Sequence, residues 1–335
     1  MKEYIITIDG GTTNTRCILW GSGQRRIDEE RRAVGVRNTS IDGSNSKLKQ
    51  AVRECIEQLL ERNGVAYDQI HRIIGSGMIT SDVGLVVVPW ITAPAGVKEL
   101  AANIAEISLP DICPIPICFI PGIKNGEGPF DFDNIEAMDI MRGEEVESIA
   151  VMEQFKSGRP LLLVLPGSHN KFVSVDAEGK MTGCLTSISG ELLASITNDT
   201  IIAKSVGKQF VEEETYDREW LLKGYDNAKR TGLGRTCFTA RILQLFYEDA
   251  PPKIANFVLG AALQGDVTAV LHSDALKVSP DTTVVVGGKN PLRQAIVDIL
   301  EHEGYFARIE TYVPEEGISL SALGAYLIAE KNGIL

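Results

Sequence analysis

Residues 4–20, YIITIDGGTTNTRCILW, place two apolar runs on either side of a short polar segment. The runs Tyr4–Ile8 and Thr15–Trp20 are rich in β-branched and apolar residues, which is typical of strands. The segment DGGTTN between them is short and rich in glycine. Two strands joined in this way predict a hairpin, and its turn is the first candidate for a functional loop.

The turn has the composition of a phosphate-binding loop. Gly10 and Gly11 let backbone N–H groups approach an anion without a Cβ in the way, and Thr12 and Thr13 add hydroxyl donors. Asp9 ends the first strand and can hold a hydrated Mg²⁺ beside a polyphosphate. An ordinary hairpin turn is the alternative, since Asp-Gly is a common turn signal. That turn needs only two residues, so the longer polar run favours phosphate binding.

A second loop of this kind follows the apolar run Leu161–Leu165. It contains Gly167, Ser168 and Lys171, and another strand-like run comes after it. Alone, the segment is a weak signal that favours a plain turn. Its place in a second strand–turn–strand unit predicts that two such loops face one polyphosphate.

A third loop begins with paired glycines, Gly287 and Gly288, between the apolar run 283–286 and a predicted helix. Glycines between a strand and a helix N-terminus allow a nucleotide to approach closely. The alternative is a tight turn without a ligand, because many α/β proteins use Gly-Gly at this position.

Charge and composition disfavour several classes of protein. The chain has 33 Lys and Arg residues against 45 Asp and Glu, a net charge of −12 at pH 7, and such a surface repels nucleic acid. The N-terminus carries Glu3 and turns polar within ten residues, so no signal peptide is expected, and no membrane segment is expected either. Six scattered cysteines indicate reduced, mostly buried thiols in a cytoplasmic protein.

At 335 residues the chain is long enough for two domains. Apolar residues at helical spacing predict helices over residues 46–63 and 95–107, and residues 188–272 are predicted to be mainly helical. Strand, glycine turn and strand occur twice, which predicts two similar halves. The best boundary is the loop around residues 125–140.

The order of the three loops resembles that of the phosphate-1, phosphate-2 and adenosine loops in the actin, Hsp70 and sugar-kinase superfamily. Within it, the sequence is most similar to the 2-dehydro-3-deoxygalactonokinase family. The segments that carry this resemblance are IDGGTTNTRCILW (8–20), GMITSDVGL (77–85), IPG (120–122), MRGEEVES (141–148), LPGSHNKFV (165–173), SGELL (189–193) and VVVGGKNPLRQAI (284–296). The first loop is generic to the superfamily, whereas MRGEE combined with PGSHNKF is far more specific to the family.

The resemblance implies an α/β fold of two lobes, the actin-like ATPase or ribonuclease H-like fold, with the nucleotide in the cleft between the lobes. ATP and Mg²⁺ are the implied cofactors, with Asp9 as the metal ligand. The N-terminal lobe, residues 1–138, would hold the phosphate-1 loop and part of the sugar pocket. The C-terminal lobe, residues 139–335, would hold the phosphate-2 and adenosine loops.

The resemblance also implies a catalytic base. In related carbohydrate kinases a Gly-Asp-Gln segment opens a helix before the phosphate-2 loop, and its Asp takes the proton from the substrate hydroxyl. Gly143-Glu144-Glu145 occupies that place, 24 residues before Gly167. Glu144 is therefore the implied base and Glu145 the second candidate. Because this sequence has Glu where the related kinases have Asp, the resemblance does not decide between the two. The alternative is that these acids only favour a helix N-terminus.

Three further residues are implied substrate contacts. A sugar acid carries a carboxylate, which an Arg side chain binds well, and Arg142 and Arg16 both lie in matching segments. A surface ion pair is the alternative for each. Residues 77–84 match a family segment implied to line the sugar pocket, from which we name Ser81.

The resemblance thus implies a kinase that phosphorylates the terminal hydroxyl of 2-dehydro-3-deoxy-D-galactonate to the 6-phosphate in galactonate catabolism. Its expected partners are ATP and this sugar acid, without nucleic acid or membrane, and a homodimer is left open. One alternative is a kinase of the same superfamily acting on another small sugar or sugar acid. The other is an ATP-binding scaffold, which would not need the segment Arg142-Gly143-Glu144-Glu145.

Overall fold

The computed structural model describes residues 3–155, 158–314 and 319–331. Within these residues the chain forms two large mixed sheets and one small sheet, surrounded by helices. The strands are β1 (Tyr4–Gly10), β2 (Thr15–Trp20), β3 (Arg26–Arg32), β4 (Ile70–Gly77), β5 (Ile91–Thr92), β6 (Ala105–Ile107), β7 (Ile117–Phe119), β8 (Ile123–Lys124), β9 (Ile140–Met141), β10 (Leu161–Leu165), β11 (Asn170–Val175), β12 (Met181–Ser187), β13 (Thr283–Val286) and β14 (Arg308–Thr311). The helices are α1 (Val36–Asp42), α2 (Ser46–Asn63), α3 (Val97–Ala102), α4 (Glu144–Gln154), α5 (Ser189–Asp199), α6 (Arg218–Thr231), α7 (Leu233–Phe246), α8 (Pro251–His272), α9 (Leu292–Glu303) and α10 (Leu320–Lys331).

The two large sheets share one connectivity. The N-terminal sheet has the order β3-β2-β1-β4-β7-β6, and the C-terminal sheet has the order β12-β11-β10-β13-β14. In each sheet the first three strands along the chain are antiparallel, and the two strands next in the sheet beyond the first one, β4 and β7 or β13 and β14, run parallel to it. The N-terminal sheet adds β6 as an antiparallel edge strand. This repeated arrangement is that of the actin-like, ribonuclease H-like fold. It confirms the predicted internal repeat.

The candidate loops lie at the carboxyl ends of central strands. The phosphate-1 turn joins β1 to β2, and the phosphate-2 turn joins β10 to β11, both as hairpins. The adenosine loop follows β13, the parallel neighbour of β10. Ligands of open α/β sheets bind at this end of the strands, so the topology places the three loops where a nucleotide is expected.

The predicted elements differ from the observed ones at several points, of which two show how local signals fail. The helix over residues 46–63 is confirmed as α2. The helix over 95–107 is wrong in its second half, because α3 ends at Ala102 and Ala105–Ile107 pairs with β7 as an edge strand. The sequence does not predict strand β12, because Thr182 and Gly183 interrupt its apolar residues and leave only a weak signal.

A buried apolar cluster connects the two large sheets through α4 and α10. It includes Ile74 of the N-terminal sheet, Leu163 of the C-terminal sheet, and Val146 and Ala325 of the two helices. The lobe boundary between residues 138 and 139 stays a prediction. The packing shows that α10, at the end of the described chain, supports the helix that begins with Glu144.

The crossing of α4 and α10 depends on a glycine. A Cβ built on Gly324 would lie 1.9 Å from the carbonyl oxygen of Val146, so the two helix backbones are in direct contact. We expect Gly324→Ala to lower the free energy of unfolding by about 1–3 kcal/mol, because the helices must move apart. Urea denaturation checks this value. Gly265→Ala in α8 is the control, since a Cβ there meets nothing within 4 Å, and it should be neutral or stabilising.

Helix α8 is long and apolar enough to cross a membrane by length and composition, but 72% of its most apolar window is buried inside the protein. It packs against α5, α6 and α7, so these neighbours account for its apolar faces.

All six cysteines are buried, as predicted.

Candidate active site

The phosphate-1 loop is fixed by close backbone contacts. A Cβ on Gly10 would lie 2.0 Å from Cγ2 of Ile79, so only glycine fits there. Gly11 N–H donates to the carbonyl of Asn14 at 2.9 Å, and the first amides of α1 donate to the carbonyls of Gly11 and Thr12. Thr12 and Thr13 remain exposed at the tip. The loop is therefore rigid at its base and open to a ligand at its tip.

The phosphate-2 loop is exposed at Gly167, Ser168 and His169. Gly167 N–H donates to Oδ1 of Asn170 at 3.0 Å, which closes the turn. Nε2 of His169 lies 3.0 Å from Oε1 of Glu191 at the start of α5. His169 is thus a hydrogen-bonding residue of the loop.

The adenosine loop packs directly on the phosphate-2 loop. Gly287 N–H donates to the carbonyl of Val164 at 2.9 Å. Gly288 has φ +81°, and a Cβ there would lie 3.1 Å from Pro166. A cleft of about 790 Å³ opens beside Gly288, which shares it with Glu147 and Ser321 of the C-terminal half of the chain, and its opposite lining comes from Arg16 and Glu29 of the N-terminal sheet. The cleft therefore lies between the two lobes, with the adenosine loop on one wall.

Two carboxylates meet at the inner end of this cleft. The hydroxyl of Ser321 lies 3.0 Å from Oδ2 of Asp9 and 3.2 Å from Oε1 of Glu147. Burial raises the pKa of Asp9, and burial together with the Asp9 charge raises the pKa of Glu147 to about 7. Arg16, opposite Asp9 in the β1–β2 hairpin, lowers both pKa values. Two carboxylates this close repel each other when both are ionised, and a bound cation would stabilise their ionised forms.

The oxygen atoms of Asp9, Glu147 and Ser321 fit a hard divalent cation. Mg²⁺ prefers oxygen ligands, is commonly held by one or two carboxylates, and keeps several waters. Glu147 and Ser321 were not singled out from the sequence as ligands. The only local signal was a third acid in the first turn of α4.

Glu144 and Glu145 have different environments at the start of α4. Glu145 is fully buried, and its two carboxylate oxygens accept the N–H of Gly143 at 2.9 and 2.7 Å. Burial and the neighbouring charge of Glu144 raise the pKa of Glu145 to about 8. Glu144 is half-buried, and its Oε2 accepts the N–H of Arg142 at 2.9 Å. Of the two, Glu144 is the carboxylate that a substrate can reach.

Lys171 is buried beside Glu144. Its side-chain ammonium donates to the carbonyl of Ile140 at 2.8 Å and to the hydroxyl of Thr186, and it lies 3.9 Å from Oε1 of Glu144. Lys171 as a whole is only 4% exposed to solvent. A phosphate contact by Lys171 stays a prediction, and the geometry places its charge next to the candidate base.

The three implied substrate residues already have partners. Arg142 donates to the carbonyls of Thr80 and Val88 at 2.8 and 3.0 Å, and its guanidinium lies 4.3 Å from the ring centroid of Trp90. The hydroxyl of Ser81 donates to the carbonyl of Met78 at 2.7 Å. Nε of Arg16 lies 3.6 Å from Glu29.

These contacts hold the segment that contains Ser81 against the start of α4. The direct contact of each of the three residues with a substrate stays a prediction. Arg16 is the one of them that lines the interlobe cleft.

Comparison with known proteins agrees with this architecture. A 2-dehydro-3-deoxygalactonokinase of Escherichia coli (strain K12) is 24% identical over 209 residues, an alignment that spans about 62% of this chain and about 62% of that relative. A structure described as that of "a putative 2-dehydro-3-deoxygalactonokinase protein from Sinorhizobium meliloti" is 20% identical with a TM-score of 0.77, covering 99% of this chain and 100% of that one, which shows a shared fold. A family model described as 2-keto-3-deoxy-galactonokinase matches residues 9–318. The chain therefore belongs to the 2-keto-3-deoxy-galactonokinase family.

Proposed function

We propose that this protein is a kinase that transfers the γ-phosphate of ATP to the terminal hydroxyl of 2-dehydro-3-deoxy-D-galactonate, giving the 6-phosphate. The observation that carries the proposal is the pair of carboxylates Asp9 and Glu147, joined through Ser321 beside an interlobe cleft, with the half-buried Glu144 in the same first turn of α4 as Glu147. Family membership and the name of the E. coli relative support the acceptor.

The nucleotide would lie across the interlobe cleft. Backbone N–H groups and hydroxyls of the loops at Gly10–Thr13 and Gly167–Ser168 would hold its phosphates, and the glycines at 287 and 288 would leave room for the adenosine. Asp9, with Glu147 beside it, would hold Mg²⁺, which neutralises phosphate charge during transfer. Positioning and electrostatic stabilisation then supply most of the catalysis.

The sugar acid would lie between α4 and the segment around Ser81. Glu144 would accept the proton of the terminal hydroxyl as that oxygen attacks the γ-phosphorus. Arg142 or Arg16 would bind the substrate carboxylate. Closure of the two lobes would exclude water, which otherwise competes as an acceptor. We place this activity in the cytoplasm, in galactonate catabolism.

The test of the acceptor is ATP consumption in a coupled assay. We expect turnover with 2-dehydro-3-deoxygalactonate and much slower turnover with its gluconate epimer, because a site built to hydrogen-bond one hydroxyl rejects the analogue that lacks it there. Consumption of ATP with other sugars or sugar acids alone would leave a kinase of different specificity. ATP binding without any phosphorylated acceptor would favour the scaffold alternative.

A further inference from the structure

Helix α8 contains a buried acid that the proposed chemistry does not use. Asp266 lies in a stretch of the helix that is otherwise largely apolar, and its residue is 4% exposed. In the described part of the chain its polar partners are the side chains of Asn170, Ser187 and Ser189, none of which is charged. Burying a carboxylate is unfavourable unless it is hydrogen-bonded, so Asp266 depends on these three polar side chains.

One oxygen of Asp266 leads to the phosphate-2 loop through an amide. Oδ2 accepts the Nδ2 group of Asn170 at 2.7 Å, and Oδ1 of Asn170 accepts the N–H of Gly167 at 3.0 Å. A carboxylate can only accept, whereas an amide side chain has one donor end and one acceptor end. Asp266 therefore fixes which way the Asn170 amide points, and so keeps its oxygen on Gly167.

The other oxygen of Asp266 leads to the same loop through helix α5. Oδ1 accepts the hydroxyl of Ser189 at 2.5 Å, at the first residue of α5. In that turn of α5, Glu191 N–H donates to the carbonyl of Ser168 at 3.1 Å. A Cβ on Gly190 would lie 2.3 Å from the carbonyl oxygen of Gly167, so α5 and the loop are packed backbone to backbone.

We propose that Asp266 is a positioning residue for nucleotide binding. It holds the phosphate-2 loop by two connections, one through Asn170 and one through the start of α5, and thereby sets the geometry in which Ser168 and its neighbours receive the phosphates. This inference rests on the proposed function in taking this loop to bind ATP and in placing the acceptor at a separate site. The acceptor lies at α4 and the segment around Ser81, so its binding should be independent of Asp266.

The test compares Asp266→Ala with wild type by calorimetric binding of a non-hydrolysable ATP analogue with Mg²⁺, and of the sugar acid. We expect the dissociation constant for the analogue to rise about 10-fold, because the loop loses both supports, while that for the sugar acid changes less than about 2-fold. Asp266→Asn can still accept from Asn170 and is expected to stay within about 3-fold of wild type. Should Asp266→Ala fail to fold, Asn170→Ala breaks the same connection one step nearer to the loop.

The matched control is Asn256→Ala in the same helix. Asn256 is fully buried and makes three hydrogen bonds, to Asp217 N–H and to the carbonyls of Thr215 and Pro252, away from the loop. We expect it to lower stability without changing nucleotide affinity. Amide hydrogen exchange at residues 167–169 should be faster in Asp266→Ala than in wild type, and unchanged in Asn256→Ala.

Unchanged nucleotide affinity in Asp266→Ala, or an equal loss of nucleotide and sugar-acid binding, would overturn the inference while leaving the kinase function intact. Unaltered hydrogen exchange at the loop would also overturn it. If wild type binds the ATP analogue but phosphorylates no sugar acid, the proposed acceptor is wrong, and a nucleotide-selective effect of Asp266→Ala still supports the positioning role. No binding of the analogue by wild type would refute both.

Discussion

Replacing Asp9 by asparagine is expected to lower kcat at least about 100-fold while leaving the fold intact. Asn keeps the size of the side chain and an oxygen that can accept the hydroxyl of Ser321. It removes the negative charge that faces the cation and the phosphates, and cation-assisted phosphoryl transfer depends on that charge. Steady-state kinetics at saturating ATP and Mg²⁺ measure the effect, and circular dichroism checks the fold.

Asp68→Asn is the control for this substitution. Asp68 is exposed and precedes β4, whose other end pairs with Gly10 beside the candidate site. It should have wild-type kinetics. Near-normal turnover of Asp9→Asn would show that the turn after β1 is an ordinary hairpin, and that the pair formed by Asp9 and Glu147 does not hold the catalytic cation.

The sequence predicts the parts of this site that are built from local signals. The run Asp9–Arg16 and the glycines at 287 and 288 each combine a strand end with a turn, and both combinations are visible within a dozen residues. The periodic apolar residues of α2 are equally local. Residues 105–107 were assigned to the wrong element, because pairing with β7 decides their conformation and that strand is distant in the sequence.

Side chains that complete the site from far along the chain could not be predicted in this way. Ser321 meets Asp9 across a separation of 312 residues, and Asp266 meets Asn170 across 96. The sequence does indicate that Asp266 has polar partners, because an acid in a largely apolar stretch of helix must find such partners on folding. It does not say which partners, because that depends on how α8 packs beneath the C-terminal sheet.

Glu144→Gln is the second substitution with a large expected effect. Gln keeps the shape of the side chain and can still accept the N–H of Arg142 through its oxygen, but it cannot take up a proton. A catalytic base contributes typically about 10²–10⁴-fold, so kcat should fall by about this factor while KM for both substrates changes little. The loose transition state of phosphoryl transfer needs little help from a base, which favours the lower end of that range. Initial rates over a matrix of ATP and sugar-acid concentrations separate kcat from both KM values.

Glu145→Gln is the comparison that makes this result decisive. The carboxyl of Glu145 is fully buried and its pKa is raised to about 8, so at neutral pH it is mostly uncharged, and Gln resembles that form. A base must be ionised and within reach of the substrate, and Glu145 meets neither requirement, so we expect Glu145→Gln to retain most of its kcat. Loss of turnover in Glu145→Gln, together with normal turnover in Glu144→Gln, would identify Glu145 as the base. Helix α4 would then have to turn during lobe closure to expose it. Full activity in both variants would show that these carboxylates act only as charges at a helix end. The base would then be another acid, and Glu191, beside the phosphate-2 loop, is the next residue to replace.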